Sequence, residues 1–266
     1  MDIANITQTT KTKSFWDYQG DSHYVDDLFL MESPYPLLCI TAAYLVFVLK
    51  VGPKFMSNKA PMNFNNLLIF YNAVQVLFSA YLFNMGLQML TSNGAFNSAC
   101  NSARTSPIMR IGFYYYFIAK ITELLDTIFF VLRKKQNQVT FLHVYHHSAM
   151  LWNTWVLIKY DPTYTLVFLG TLNSLIHTFM YAYYGLSAFP LLAKFLWWKK
   201  YLTALQLVQF VLGLVYAIVN HFYVCPMAKV TFLIILSNGT FFLILFSNFY
   251  LRSYSKRVAT PKRKHF

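Results

Sequence analysis

The sequence predicts an all-α integral membrane protein with seven transmembrane helices, and three observations carry that expectation. Hydrophobic residues fill 57% of the 266 positions and charged residues only 12%, with a mean hydropathy of +0.41, well above an ordinary soluble domain. Seven stretches approach the roughly 20 apolar residues that a spanning helix needs. All nine prolines fall between these stretches or in their first turn, where a missing N–H does no harm, so uninterrupted helices are expected.

The stretches run 34–50, 66–88, 111–132, 141–158, 163–186, 202–222 and 230–250. They form one membrane domain, 34–250, between a polar tail at 1–33 and a basic tail at 251–266. The first span is the shortest and holds no interior ionisable group, which sets it apart. The net charge of +13 raises nucleic acid as a partner, but the location of the basic residues removes it. Lys50, Lys54 and Lys59 follow span one, Arg133, Lys134 and Lys135 follow span three, and Lys194, Lys199 and Lys200 follow span five. Arg252, Lys256, Arg257, Lys262, Arg263 and Lys264 follow span seven. This positive-inside bias places the N-terminus in the lumen and the C-terminus in the cytosol. An Asn5-Ile6-Thr7 sequon agrees with a lumenal tail, and residues 1–33 lack the basic and apolar regions of a cleavable signal. The same topology puts Cys100 and Cys225 in one oxidising compartment, making them a candidate disulfide.

Ionisable groups inside a bilayer cost a few kcal/mol or more each, so they usually face a protein interior and mark function. Span three carries Lys120, Glu123, Asp126 and Thr127 within one third of its circumference. Span four opens with His143, His146 and His147 on one arc. Span five presents Asn173, His177, Met180, Tyr181 and Tyr184 at spacings of three and four, and span six presents Thr203, Gln206 and Gln209. Alternating helix direction brings all of them to the cytosolic half, with His177 about 14 Å from the end of its span. A Lys120–Glu123 ion pair and interhelical hydrogen bonding by Asn173, Gln206 and Gln209 are the structural explanations. Three histidines in one turn exceed what packing requires. The aromatic runs at 112–117 and 195–201 read as interfacial belt.

The HxxHH cluster resembles one histidine box of membrane di-iron desaturases and hydroxylases, which makes a metal-dependent lipid oxygenase or hydrolase the alternative function. Two irons need about eight histidines or carboxylates, and the chamber offers four imidazoles. A single zinc lacks an additional ligand cluster, so no metal is expected. A seven-helix receptor or transporter is a third class, separated from an enzyme by the absence of turnover. The chamber is ringed by Arg133, Lys134, Lys135, Lys194, Lys199 and Lys200, which suit topology and anionic lipid and equally a polyphosphorylated head group. Phosphates in the cytosol with an apolar tail among the helices is the shape of a long-chain acyl-CoA.

Four segments, KITELLDT (120–127), HVYHH (143–147), NSLIHTFMYAYYGL (173–186) and TALQLVQF (203–210), resemble in order the signature motifs of the elongases of very-long-chain fatty acids, the ELO family. The resemblance covers spans two to seven. It implies helices two to seven as an inverted-repeat six-helix barrel around an acyl tunnel, in the endoplasmic reticulum membrane. It implies condensation of acyl-CoA with malonyl-CoA to 3-oxoacyl-CoA, CO2 and CoA without a cofactor. The terminal KRKHF looks like a KxKxx retrieval signal, with Lys262 and Lys264 in place. Gln138 and Val144 are similar to the branch handling polyunsaturated or very long chains. The reductases and dehydratase of the elongation cycle, membrane lipids and a second copy in a homodimer are the expected partners.

None of the three cysteines falls in the cytosolic chamber, which leaves imidazole as the competent nucleophile toward a thioester. Spacing does not separate His146 from His147; similarity to the family favours His146. His177 is expected as a second reacting group, Asn173 or a tyrosine as the stabiliser of an enolate oxygen, and Glu123 and Asp126 as orienting carboxylates. His143, nearest the mouth, is expected to contact CoA, and Lys120, Arg133, Lys134, Lys135, Tyr181, Tyr184, Lys199, Lys200, Gln206 and Gln209 are expected to bind substrate or CoA.

Overall fold

The computed structural model describes residues 25–96, 106–189 and 191–255. The Asn5 sequon, Cys100 and the Lys262 and Lys264 signal lie outside them. All regular structure among the described residues is helical. The main elements are α1 (Pro34–Met56), α2 (Asn65–Asn93), α3 (Pro107–Thr122), α4 (Leu124–Leu132), α5 (Phe141–Tyr160), α6 (Tyr164–Ser187), α7 (Lys199–Val224) and α8 (Lys229–Tyr254). Five of these, α1, α2, α6, α7 and α8, are long and apolar enough to cross a membrane, the mark of a multi-pass membrane protein. The two remaining stretches of the expected seven are the ones that carry the buried charges and the histidine trio.

The expectation of uninterrupted helices fails in the third stretch, and proline is not the cause. Its helix divides at Glu123, where Asp126 N bonds the Glu123 carbonyl at 3.2 Å in a tightened turn. The Tyr71 hydroxyl donates to the Thr122 carbonyl at 3.2 Å, and Gln75 Nε2 donates to Thr122 Oγ1 at 3.0 Å. Tyr71 thus uses the Thr122 backbone carbonyl, which a regular helix would use internally, while Gln75 holds the Thr122 side chain. The first span also runs further than residue 50. A π-helical turn at Phe47–Val51, with Gly52 N bonded to the Phe47 carbonyl, carries the chain past Pro53 to Met56. Widening the helix here accommodates the ring and missing N–H of Pro53.

Helix packing closes a circuit: α2 against α6, α6 against α7, α7 against α8, α8 against α5, α5 against α3, and α3 back to α2. Helix α1 stands outside it, packed on α4, with Tyr44 OH 2.8 Å from Thr127 Oγ1 and Trp152 Nε1 donating to Thr41 Oγ1 at 3.1 Å. The α2–α6 contact is the most extensive. A Cβ added at Gly86 would lie 1.9 Å from Thr171 Oγ1, so the missing side chain lets the two helices approach, as small residues do between helices in lipid.

The end of the bundle remote from the histidines is tied by polar groups. The Tyr164 hydroxyl lies between the Met89 and Gly94 carbonyls (3.0 and 2.9 Å), and Tyr216 OH donates to the Ala95 carbonyl at 2.5 Å. Buried Lys159 donates to Asp26 Oδ1 (2.6 Å) and to the Met31 and Glu32 carbonyls (2.8 and 2.9 Å), while Trp155 Nε1 donates to the Leu30 carbonyl at 2.9 Å. This end also holds the Arg110–Asp27 ion pair, in which the Arg110 hydrogen bond keeps the exposed Asp27 carboxyl below the usual carboxylate range. Cys225 is disulfide-bonded and Cys39 is free and exposed on α1.

Candidate active site

The site is built at the break between α3 and α4. Lys120 and Glu123, each 3% exposed, pair within the helix: Lys120 Nζ lies 2.8 and 3.1 Å from the two Glu123 carboxylate oxygens. Nζ also donates to Asn173 Oδ1 on α6 at 2.9 Å, and Tyr116 OH donates to the same oxygen at 2.9 Å. One turn further along α6, His177 Nδ1 lies 3.1 Å from Glu123 Oε1, off the line of a hydrogen bond. Lysine, carboxylate, amide and imidazole thus form one buried chain of contacts, the arrangement that permits charge in a low-dielectric interior.

The histidines stand opposite on α5. Thr140 caps that helix, its hydroxyl accepting from His143 N at 3.2 Å, so the first turn that carries the trio has a fixed start. The His143 and His147 ring centroids are 4.4 Å apart, and those of His146 and His147 are 5.6 Å apart and edge-on. The His146 ring meets Phe242 and Phe246 of α8 at 4.8 and 5.8 Å. His143 Nε2 and His146 Nδ1 are buried with no hydrogen-bond partner.

Two cavities lie beside this trio. One, of about 860 Å³, is lined by Asp126, His143, His146, His147, His177 and Gln206, and at its rim by Asn137, Gln138, Lys199, Lys200 and Tyr254. The other is apolar and bounded by α2, α3, α5, α6, α7 and α8; along α5 its lining reaches from His146 to Ile158, about 18 Å of helix. Among the described residues, His146 is the one common to both linings.

The chain matches the model of the GNS1/SUR4 family over residues 29–262. It belongs to that family. Very long chain fatty acid elongase 4 of Homo sapiens is 39% identical over 98% of this chain and 85% of its own length. Very long chain fatty acid elongase 7 is 41% identical in Rattus norvegicus (96% of this chain, 94% of that protein) and 41% identical in Drosophila melanogaster (88% and 73%).

In this GNS1/SUR4 protein the expected residues separate into three groups. His143, His146, His147, His177, Asp126, Gln206, Tyr184, Lys199 and Lys200 share the polar cavity. Asn173 and Gln209 line the apolar one, and Glu123, Lys120 and Tyr181 are buried behind the walls. Glu123 faces His177, whereas Asp126 accepts from Tyr181 OH at 2.8 Å rather than meeting a histidine. Arg133, Lys134 and Lys135 line neither cavity; Lys134, at φ 54°, donates through Nζ to the Ser57 carbonyl at 3.2 Å. Among the described residues, no three of His, Cys, Asp and Glu are gathered for a metal ion.

Tyr116 corrects the assignment of 112–117 to the interfacial belt. It bonds Asn173 and lines the apolar cavity, and its neighbours Phe113 and Phe117 are 6% and 0% exposed. The signal was present, since Tyr116 stands four residues before Lys120 and shares its face. Tyr71 and Gln75, which hold the helix break, were marked by no comparable pattern.

Proposed function

We propose that this protein lengthens fatty acyl chains by condensing a long-chain acyl-CoA with malonyl-CoA to 3-oxoacyl-CoA, releasing CO2 and CoA. The observation that carries this is the position of His146 in the linings of both a polar cavity rimmed by lysines and an apolar cavity of about 190 Å³ whose lining extends from His146 to Ile158 along α5. The names of the relatives, very long chain fatty acid elongases, support fatty-acid elongation generally.

In the first half-reaction a neutral His146 nitrogen attacks the thioester carbonyl, the C–S bond breaks, and CoA leaves as thiol with the imidazole proton. The acyl-imidazole formed is itself activated. In the second, malonyl-CoA loses CO2, and the resulting enolate carbon attacks the acyl carbonyl, forming the new C–C bond and releasing imidazole, which regains a proton. One proton is consumed overall. His177, held near Glu123, orients the malonyl unit. The Asn173 side chain, carrying Lys120 and Tyr116 on its oxygen, has its amide N–H2 turned from those donors and suits a developing enolate oxygen. His143, Lys199 and Lys200 hold the CoA portion. None of these steps draws on a metal or redox cofactor.

In this proposal α3 with α4, and α5, serve as spans three and four of seven, and α2 to α8 form two inverted three-helix units around the tunnel. The histidine end faces the cytosol in the endoplasmic reticulum, and separate reductases and a dehydratase consume the product. Purified protein given a ladder of acyl-CoAs and labelled malonyl-CoA is expected to yield labelled 3-oxoacyl-CoA and CO2, and His146→Ala to yield neither. Label recovered only in unreacted malonyl-CoA, from protein that elutes as a single species, would refute the activity.

A further inference from the structure

Among the described residues, five glycines line the apolar cavity, and they divide by what a side chain would meet. A Cβ at Gly86, Gly213 or Gly239 would lie 1.9, 2.9 or 2.8 Å from a side-chain atom of a neighbouring helix, so these three are explained by close helix packing. Gly112 and Gly170 are different. At Gly112 the nearest atom is the Met85 methyl at 3.5 Å, and at Gly170 the nearest are Tyr116 ring carbons at 3.7 and 3.8 Å. Glycine weakens a helix interior, and packing does not require it at these two positions.

We propose that Gly112 and Gly170 keep the bore open and set the length of acyl chain the protein accepts, at two different depths. The inference rests on the elongation function proposed above. The Glu123–His177 contact gives a common level on α3 and α6 from which depth can be counted. Gly170 lies seven residues before His177, about 10 Å along the helix, and Gly112 lies eleven before Glu123, about 16 Å. A branched side chain at 170 obstructs the bore about 10 Å from the Glu123–His177 level, and one at 112 obstructs it about 6 Å deeper. Met85, whose thioether reaches the Gly112 side, bounds the same level and adapts in shape as methionine does.

The experiment uses the full-length protein in detergent, with an acyl-CoA ladder from octanoyl to behenoyl and saturating malonyl-CoA. Alanine, valine and leucine are placed at each position. The ratio of stearoyl-CoA to decanoyl-CoA turnover is expected to fall by about tenfold or more in Gly170→Leu, the scale on which an apolar pocket rejects a misfit. Gly112→Leu is expected to lose only longer members of the ladder, with valine and alanine shifting each cut-off less. Active variants with the wild-type chain-length profile overturn the proposal, as does a uniform loss across all lengths in protein that elutes as one sharp peak. Should the leucine variants fail to fold, the alanine and valine series decides: a profile independent of side-chain size overturns it. Wild-type protein without condensation at any length would instead refute the activity itself, which keeps the two failures distinct.

Discussion

Replacing Glu123 by glutamine should destabilise the protein severely, and the geometry gives the scale. Lys120 Nζ has three oxygen contacts, two of them from Glu123 and one from Asn173, with the Tyr116 ring 4.7 Å away. Neutralising the carboxylate leaves a buried ammonium with only neutral amide oxygens and a ring face as compensation. Removing one partner of such a pair costs about 3–5 kcal/mol, which at this chain size is a fall on the order of 10 °C in unfolding temperature. The double variant Lys120→Met/Glu123→Gln removes both charges and should fall by clearly less than the sum of the single variants, because neither leaves an orphaned charge. The assay is the temperature at which detergent-solubilised protein loses its single size-exclusion peak. Single variants that melt within a degree or two of wild type, or a double variant equal to the sum of the singles, would refute the claim that these groups form one coupled buried network.

Other parts of the bundle make separate predictions. Gly86→Ala forces the α2–α6 contact apart at Thr171 and should cost about 1–3 kcal/mol, with Thr171→Gly in the same chain recovering part of the loss in the same melting assay. Lys159→Met removes the donor of three bonds to residues 26–32 and should raise hydrogen exchange in that segment more than elsewhere; unchanged exchange there would contradict the clamp. The Asp27 carboxyl is held below its ordinary range by Arg110, so the pair's contribution is present above that range and disappears as pH falls through the lowered value. Because both groups are solvent-accessible the contribution is small, and Arg110→Gln should leave the neutral-pH melting temperature unchanged within error.

Most of the site was legible in the sequence because membrane helices make polar residues conspicuous. The cost of burying Lys120, Glu123, His177 and the histidine trio forces them inward, and helical spacing puts each set on one face. The apolar lengths of α1, α2, α6, α7 and α8 were equally plain. What escaped is what periodicity does not encode. The break at Glu123 depends on Tyr71 and Gln75, residues more than forty positions away in sequence, reaching the Thr122 backbone and hydroxyl. Spacing places the Asp126 carboxylate on a face without saying which donor across the interface is nearest; Tyr181 reaches it. Charge in a loop likewise does not reveal direction, so Lys134 ties the backbone of a neighbouring loop while Lys199 and Lys200 reach the cavity rim. Tyr116 was hidden among the surrounding aromatics, although its register with Lys120 distinguishes it from residues facing lipid.

The central claim is that His146, in the linings of both the polar and the apolar cavity, carries the acyl group between the two half-reactions. Intact-protein mass measured after a brief incubation with acyl-CoA alone tests it most directly. The account predicts one added acyl mass with matching release of CoA, both lost in His146→Ala and both reversed when malonyl-CoA is supplied. Condensation that proceeds in a single turnover with no such adduct, or an adduct that persists in His146→Ala, would contradict it.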